Sequence, residues 1–304
     1  MRGSLSLIFF LVSSFQIFGQ NLNLFSNTVL QGAPYLTAIT EDVNGNYLIG
    51  SRVDHVDNIR TGNLVKIKNS GKLIETFNKV FVNDHILKVM TLPNGKILIG
   101  GGFNKVNGAN SAHIVRLNSD GSIDPSFSAW TGMESYYYIG DFDIQSDGKI
   151  IMGGDFNNYD NTGYNDIVRL NEDGTIDNTF KKNQIDIPYV ARLTIDSDDN
   201  IYSTNGADIS KLKFDGSFDS NFNTSGTTGY FYQLKVVTGG KLLVAGQFSS
   251  FGGVDIENIA RLNLDGTTDL TFAGSDFTPN TVIYGMDVFL NGRIVITGSN
   301  ACFG

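Results

Sequence analysis

One cysteine, Cys302, stands in 304 residues, so no internal disulfide can staple this chain, even in an oxidising compartment. Basic residues are also short: Lys+Arg of 22 against Asp+Glu of 31 gives a net charge of −9. That balance argues against nucleic acid and anionic membrane as main partners, because both require a basic surface. It leaves calcium, cationic ligands or simple solubility open. Catalytic signatures are missing too. The three histidines, His55, His85 and His113, are scattered, with no H-E-x-x-H, G-x-S-x-G elbow or Walker loop. The lone Trp130 does not follow a Ser-x-Asp-x-Gly box of the sialidase kind. No helical period runs long enough, after the first twenty residues, to build a helix.

What is present begins with those twenty residues. Arg2 supplies a charge, Leu5 to Val12 is apolar apart from Ser6, and Gly19 offers a small residue before a cut. The apolar run is too short for a membrane anchor. The segment 1–19 is therefore expected to be a signal peptide cleaved before Gln20. No lipobox cysteine stands at the cut, so the mature chain is expected to be soluble, secreted or at the cell surface, with no membrane insertion. Hydrophobic content of 41% suits a folded protein.

The rest of the chain repeats itself. KILIGGGFNKVNGANSAHIVRLNSDGSIDPSF, KIIMGGDFNNYDNTGYNDIVRLNEDGTIDNTF and KLLVAGQFSSFGGVDIENIARLNLDGTTDLTF are three versions of one unit. The glycine of the second motif recurs at Gly71, Gly121, Gly174, Gly216 and Gly266, steps of 50, 53, 42 and 50 by subtraction. Such a period means one supersecondary unit copied around a ring or along a solenoid. Within a unit, alternating or apolar runs of strand length are separated by Asn-Gly and Asp-Gly turns, which predicts four short antiparallel strands. The glycines supply positive φ in those turns, and Gly101, Gly154 and Gly246 mark strand ends where backbones approach closely. Phe103, Phe156 and Phe248, with Phe77, Phe127, Phe180, Phe222 and Phe272, are the expected filling between sheets. The expected fold is all-β: a β-propeller of four-stranded blades, about six in number with the last incomplete. An open β-solenoid is the alternative. The propeller domain is expected over 20–304, as five full repeats and a partial sixth. A strand after the signal peptide, around Phe25, is expected to join the sixth blade. The short sixth unit suggests a chain truncated at its C-terminus.

The pattern of an apolar strand with DGKILIGGxF and then IxRLNxDGxxDxxF, at Lys96–Phe127, Lys149–Phe180 and Lys241–Phe272, resembles the delta-60 repeat family of bacterial proteins. Two units, GNYLIGSRVDHV and DNIYSTNGADISKLKFDG, depart toward the D-x-x-G-N-x-Y blades of NHL-type propellers. The resemblance implies a secreted β-propeller, often fused to further domains and sometimes to a C-terminal type IX sorting domain. It implies no catalytic set.

Three groups of residues are candidates for chemistry. Asn118, Asp120 and Asp124, repeated at Asn171/Asp173/Asp177 and Asn263/Asp265/Asp269, cluster oxygen ligands as calcium requires. The glycine is fourth and Ala129 is twelfth, however, which favours an Asx-stabilised turn and leaves no cofactor expected. Lys66, Arg116, Arg169, Lys211 and Arg261 recur in the third strand, either as an anion-binding ring or, as favoured, paired with repeat carboxylates such as Asp124 and Asp177. Ten residues before each first-hairpin turn lies Tyr35, His85, Tyr138, Tyr189 or Tyr230, with Val282 in the sixth unit. One polar-tipped ring per blade would make a platform for an extracellular glycan or protein, extended by Trp130, Tyr136, Tyr137, Phe231 and Tyr232. The bland alternative is that these rings cap the inter-blade core. The leading expectation is a non-enzymatic binding or structural module. The competing one is an extracellular glycan hydrolase or lyase, with carboxylates at the propeller mouth. Asp54, His55, Asp57, Asp196, Asp198 and Asp199 are where the repeat breaks.

Overall fold

In a computed structural model, the described residues are 35–51, 59–111, 113–129, 138–182, 189–237, 239–272, 281–288 and 292–299, with short strands at 15–16, 22–25, 28–31 and 55–56. Every regular element among them is a strand. Six antiparallel sheets follow one another along the chain. Sheet I holds Tyr35–Glu41, Tyr47–Ser51 and Leu64–Ile67, with Phe15–Gln16 beside the first. Sheet II holds Ile86–Thr91, Ile97–Gly101 and Ile114–Leu117, and sheet III Tyr138–Ile144, Ile150–Asp155 and Ile167–Leu170. Sheet IV holds Arg192–Ile195, Ile201–Thr204 and Ile209–Leu212, and sheet V Thr228–Val237, Lys241–Ser250 and Ile259–Leu262. Sheet VI is Val282–Val288 with Ile294–Ser299.

The expected fourth strand is reduced to a single bridge in each of the first five units. Leu73, Ile123, Ile176, Phe218 and Thr268 each meet the third strand at one residue. The chain then turns at once, because Asp124, Asp177 and Asp269 each accept a backbone N–H two residues on. Such Asx turns compete with ladder formation and end the strand early. The N-terminal strand also differs from expectation. Leu22–Phe25 and Thr28–Gln31 pair with His55–Val56 and Ile59–Arg60 in a separate small sheet. Among the described residues Ile294–Ser299 pairs only with Val282–Val288.

The core lies between sheets. Leu48 and Leu64 of sheet I pack with Ile86, Val89 and Ile97 of sheet II. Leu98, Phe142, Met152, Leu193 and Ile201 join sheets II, III and IV. Tyr202 and Phe222 meet Phe231 and Phe248, and Ala245 meets Ile283 and Met286. Phe77, Phe103, Phe156, Phe180, Phe222 and Phe248 are all buried, as their recurrence predicts. A sheet apolar on both faces cannot bury them alone, so stacking sheet on sheet is the stable solution.

The Asp-Gly turns do more than reverse the chain. The N–H of Asn78 donates to the Asp120 carbonyl of the next sheet at 2.7 Å. Ser128 to Asp173, Lys181 to Asp215 and Asn223 to Asp265 repeat the bond. Gly121 is at φ 89°, and a Cβ there would stand 2.9 Å from the Phe77 ring. Only glycine meets both demands, the positive φ and the close contact. Each turn is thus the fastening point for the preceding sheet.

Candidate functional site

The first strands of the six sheets lie side by side and carry the chemistry. Five of them contain one extra residue opposite the same point of the second strand: Thr37, Leu87, Gly140, Tyr232 and Tyr284. A bulge sharpens twist and re-aims the side chains that follow it. The next residues, Ala38, Lys88, Asp141 and Gln233, and those two further along, Met90, Asp143 and Lys235, line a shared cavity of about 310 Å³. Arg192, Thr194 and Asp287 join them, so all six sheets contribute.

Charges of opposite sign pair between neighbouring sheets in this cavity. Lys88 pairs with Asp141 at 2.7 Å, and Asp141 also accepts the Leu193 N–H at 3.1 Å. Asp143 accepts the N–H of Ile195 at 3.2 Å, Lys235 pairs with Asp287, and Gln233 donates to the Tyr284 carbonyl at 2.9 Å. Burial works against the Lys88 charge, yet Asp141 and Asp143 outweigh it and raise its pKa. Burial pushes the Asp143 carboxyl up despite Lys88. Each bond spans neighbouring sheets, which makes the lining a set of staples between them. The sequence reading missed it. Its signal in the sequence is a charged residue within three of the first strands: Lys88, Asp141 with Asp143, and Arg192.

The residues expected to form a ring open the first strands at one end. Tyr35 and Tyr138 begin theirs, while His85 and Tyr189 stand just before and Tyr230 just inside. The Tyr35 side chain, and Trp130, Tyr136 and Tyr137, lie outside the described residues, as do Asp54, Asp57 and the His55 side chain. The His85 Nδ1 lies against the Asp84 carboxylate. Tyr138 is half-buried, and its hydroxyl pKa is raised by burial, then by Asp155 and Tyr189, with Arg192 opposing. Tyr138, Tyr189, Asp155 and Arg192 therefore share one neighbourhood. Tyr230, on sheet V, is 59% exposed. Phe231 is not a platform residue: it is buried against Phe248 and Phe251, because the strand turns it inward. Glycines hold this end. A Cβ on Gly101, Gly154 or Gly246 would lie 2.0–2.1 Å from the carbonyl of His85, Tyr138 or Tyr230.

Asp166 belongs to the same end, and burial followed by repulsion from Asp155 raises its pKa to about 6. A carboxyl raised on folding is protonated in the native state before it is in the unfolded chain, so stability falls as pH rises from about 4 to 6. Asp166→Asn removes that penalty, and Asn258 already holds the matching left-handed backbone in sheet V, φ 64° against 60°. The variant is expected to gain about 1–3 kcal/mol at pH 7.5 and to match the wild type at pH 4 in denaturant titrations.

The repeated bases are committed internally. Arg116, Arg169 and Arg261 bind Asp124, Asp177 and Asp269 at 2.6, 2.8 and 2.8 Å. The same guanidiniums stack on Phe127, Phe180 and Phe272. Lys211 reaches Asp219 at 3.4 Å, whereas Lys66 takes Asp42 at 2.8 Å instead of a repeat carboxylate. Asp120, Asp173 and Asp265 accept the N–H and hydroxyl two residues on, the Asx geometry. Asp196 likewise accepts from Asp198, Asn200 and Tyr202, and Asp199 binds Ser146 of sheet III.

A family model described as a domain of unknown function (DUF5122) beta-propeller matches residues 92–127, 145–180 and 240–272. These matches support a β-propeller repeat family. No curated protein matches the chain. Among solved structures, a streptogramin B lyase superimposes with TM-score 0.59 at 18% identity, over 92% of this chain and 79% of its own. The WD40 beta propeller domain of Doa1 gives 0.58 at 13%, over 90% and 78%. YCF48 bound to D1 peptide gives 0.52 at 12%, over 89% and 78%. At these identities the likeness is one of fold: all-β and propeller-like. An enzyme stands beside a WD40 domain in this set, so fold alone does not separate catalysis from binding.

Proposed function

We propose that this chain is a secreted propeller of the delta-60 repeat type, with six blades built on sheets I to VI. In this reading it is a non-enzymatic binding module at the cell surface or outside the cell, its ligand seated on the tyrosine-bearing end. The supporting observation is a division of labour. The channel carboxylates are spent on Lys88, Lys235 and backbone N–H groups, while rings stand at equivalent positions around one mouth. Tyrosine offers stacking area and a hydroxyl at low entropic cost.

An extracellular hydrolase or lyase has one observation in its favour, the Asp155 and Asp166 carboxylates next to Tyr138, with Asp166 near the pH at which a general acid works. The chain from Gln20, screened on printed glycan and peptide arrays, is expected to retain a ligand. A variant carrying Tyr138→Ala, Tyr189→Ala and Tyr230→Ala is expected to lose it while melting normally. Cleavage of a retained ligand, abolished by Asp166→Asn, would replace this reading with the enzymatic one. No retention on either array would sink it.

A further inference from the structure

The bulge position breaks the repeat in the last two sheets. Sheets I to III place Thr37, Leu87 and Gly140 there, whereas sheets V and VI place Tyr232 and Tyr284. Because a bulged residue is freed from strict alternation, its side chain can be turned toward the mouth. The Tyr232 and Tyr284 rings lie 5.6 Å apart, tilted by 43°. Burial first, then Tyr284 and Tyr230, raises the Tyr232 hydroxyl pKa, which puts three tyrosines in one cluster. Tyr284 is 38% exposed and Tyr230 more so.

Sheet V also departs from the others in length. Its first two strands run ten residues each, Thr228–Val237 and Lys241–Ser250, against seven or fewer in the other sheets. The extra length overhangs the tyrosine-bearing end. It is braced rather than loose: Phe231, Phe248 and Phe251 form a trio of rings beneath it, and Thr228 bonds Ser250 at 2.9 Å. A braced surface loses little entropy when a ligand settles on it. Beside the overhang runs an open groove of about 490 Å³, lined by Tyr230, Gln247, Ser249, Glu257, Asn258 and Thr281 among others. That size falls within the range of small-molecule sites.

We infer that this groove, with Tyr230 in its lining and the Tyr232–Tyr284 pair beside Tyr230, is a subsite for a neutral saccharide. The inference rests on reading the tyrosine-bearing end as a binding face, and it assigns that face a ligand class and a seat. A pyranose presents an apolar C–H face and a rim of hydroxyls. Exposed tyrosine rings match the face, and the amide, hydroxyl and carboxylate groups of Gln247, Ser249 and Glu257 match the rim. Charge selects among sugars. Among the described residues no Lys or Arg lines the groove, Glu257 does, and the chain carries −9. Uronic and sulfated polymers would meet repulsion without a cation to offset it. Proline-rich peptides also use aromatic grooves, but they need few hydrogen bonds from side chains, and here several polar groups converge.

The test is calorimetric titration of the full chain with cellohexaose, xylohexaose, mannohexaose and chitohexaose, and with polygalacturonate and a proline-rich decapeptide. At least one neutral hexaose is expected to bind. Tyr230→Ala and Tyr284→Ala should each weaken it tenfold or more, and Glu257→Gln should weaken it less. Tyr138→Ala/Tyr189→Ala, on the part of the face away from the groove lining, should weaken it less than either of these single tyrosine variants. Thermal melts of each variant separate lost binding from lost folding. Binding unchanged in Tyr230→Ala, no binding of any neutral hexaose, or preference for polygalacturonate or the peptide would each overturn the subsite. If the Tyr138→Ala/Tyr189→Ala variant alone loses a ligand, the wider binding face stands and only this groove falls. If neither variant set affects any retained ligand, both fall.

Discussion

Arg169→Met is expected to destabilise the protein by about 3–5 kcal/mol, lowering its melting temperature by roughly 10 °C. Arg169 is 1% exposed and holds more partners than any other repeat base described here. Its Nε binds Asp177 at 2.8 Å, and its other nitrogens reach Gln145, the Phe214 carbonyl and Thr179. The guanidinium also lies 4.9 Å over both Phe180 and Phe214, so it joins sheets III and IV. Removing it strands a buried carboxylate, which is the costly way to break an ion pair. Arg261→Met provides the comparison. That side chain makes the same bond to Asp269 but is 30% exposed, so water replaces much of what is lost and about 1 kcal/mol is expected.

The pH dependence carries a sign that checks the mechanism. Burial raises the Asp177 pKa, but the Thr179 hydroxyl and N–H, Arg169 and Lys149 together outweigh it and hold the carboxyl at about 2. A carboxyl depressed in the native state adds stability above its unfolded pKa, near 3.9, and loses it as pH falls toward about 2. Without Arg169 the native pKa moves back up, so this contribution vanishes at a higher pH. Chemical denaturation from pH 2 to 7 should show the variant's deficit largest near neutrality and smallest at the acid end. A deficit independent of pH would mean that packing, not the ion pair, is what Arg169 provides.

Gly154→Ala is expected to cost about 2–3 kcal/mol although it adds one methyl group and needs no unusual φ. A Cβ at Gly154 would stand 2.1 Å from the Tyr138 carbonyl and 3.1 Å from the Ile139 Cα, both backbone atoms that cannot rotate away. The bulge at Gly140 presses these atoms against the second strand, so relief requires the bulge to move. Tyr138 would move with it. The variant should therefore melt about 5–10 °C lower. It should also shift the tyrosine fluorescence of the mouth, whereas Gly163→Ala should leave that signal alone. Gly163 is at φ 83° with nothing within 4 Å of its Cβ, so strain there stays local. An unchanged melt for Gly154→Ala would show that the inner strand is free to slip.

Much of this was legible from residue order. The Asp-Gly turns, the buried phenylalanines and the pairing of Arg116 with Asp124 and of Arg169 with Asp177 follow from spacing, because both partners lie within one repeat. The glycines at strand ends were legible as close approaches, though not what they approach. The fourth strand was over-read. Asp124 and Asp177 look like strand residues in the pattern, yet their side chains capture the backbone N–H groups that a ladder would need. The charged channel was missed because Lys88, Asp141 and Asp287 lie far apart in sequence and meet only through neighbouring sheets.

Local rules were enough to determine the unit: its turns, its strand spacing and its internal ion pairs all act over a few residues. They also determined that the units must stack, since a sheet with two apolar faces has no stable solitary state. Tertiary structure alone decided which residues line the shared cavity. A single inserted residue in five of the six inner strands shifts everything after it by one step of the pleat, and in four of them the next residue, Ala38, Lys88, Asp141 or Gln233, lines the shared cavity. In sheets V and VI the inserted residue itself is an aromatic, Tyr232 or Tyr284. Nothing in their sequence neighbourhood distinguishes them from core aromatics such as Phe231, because facing is set by register between strands rather than by residue type.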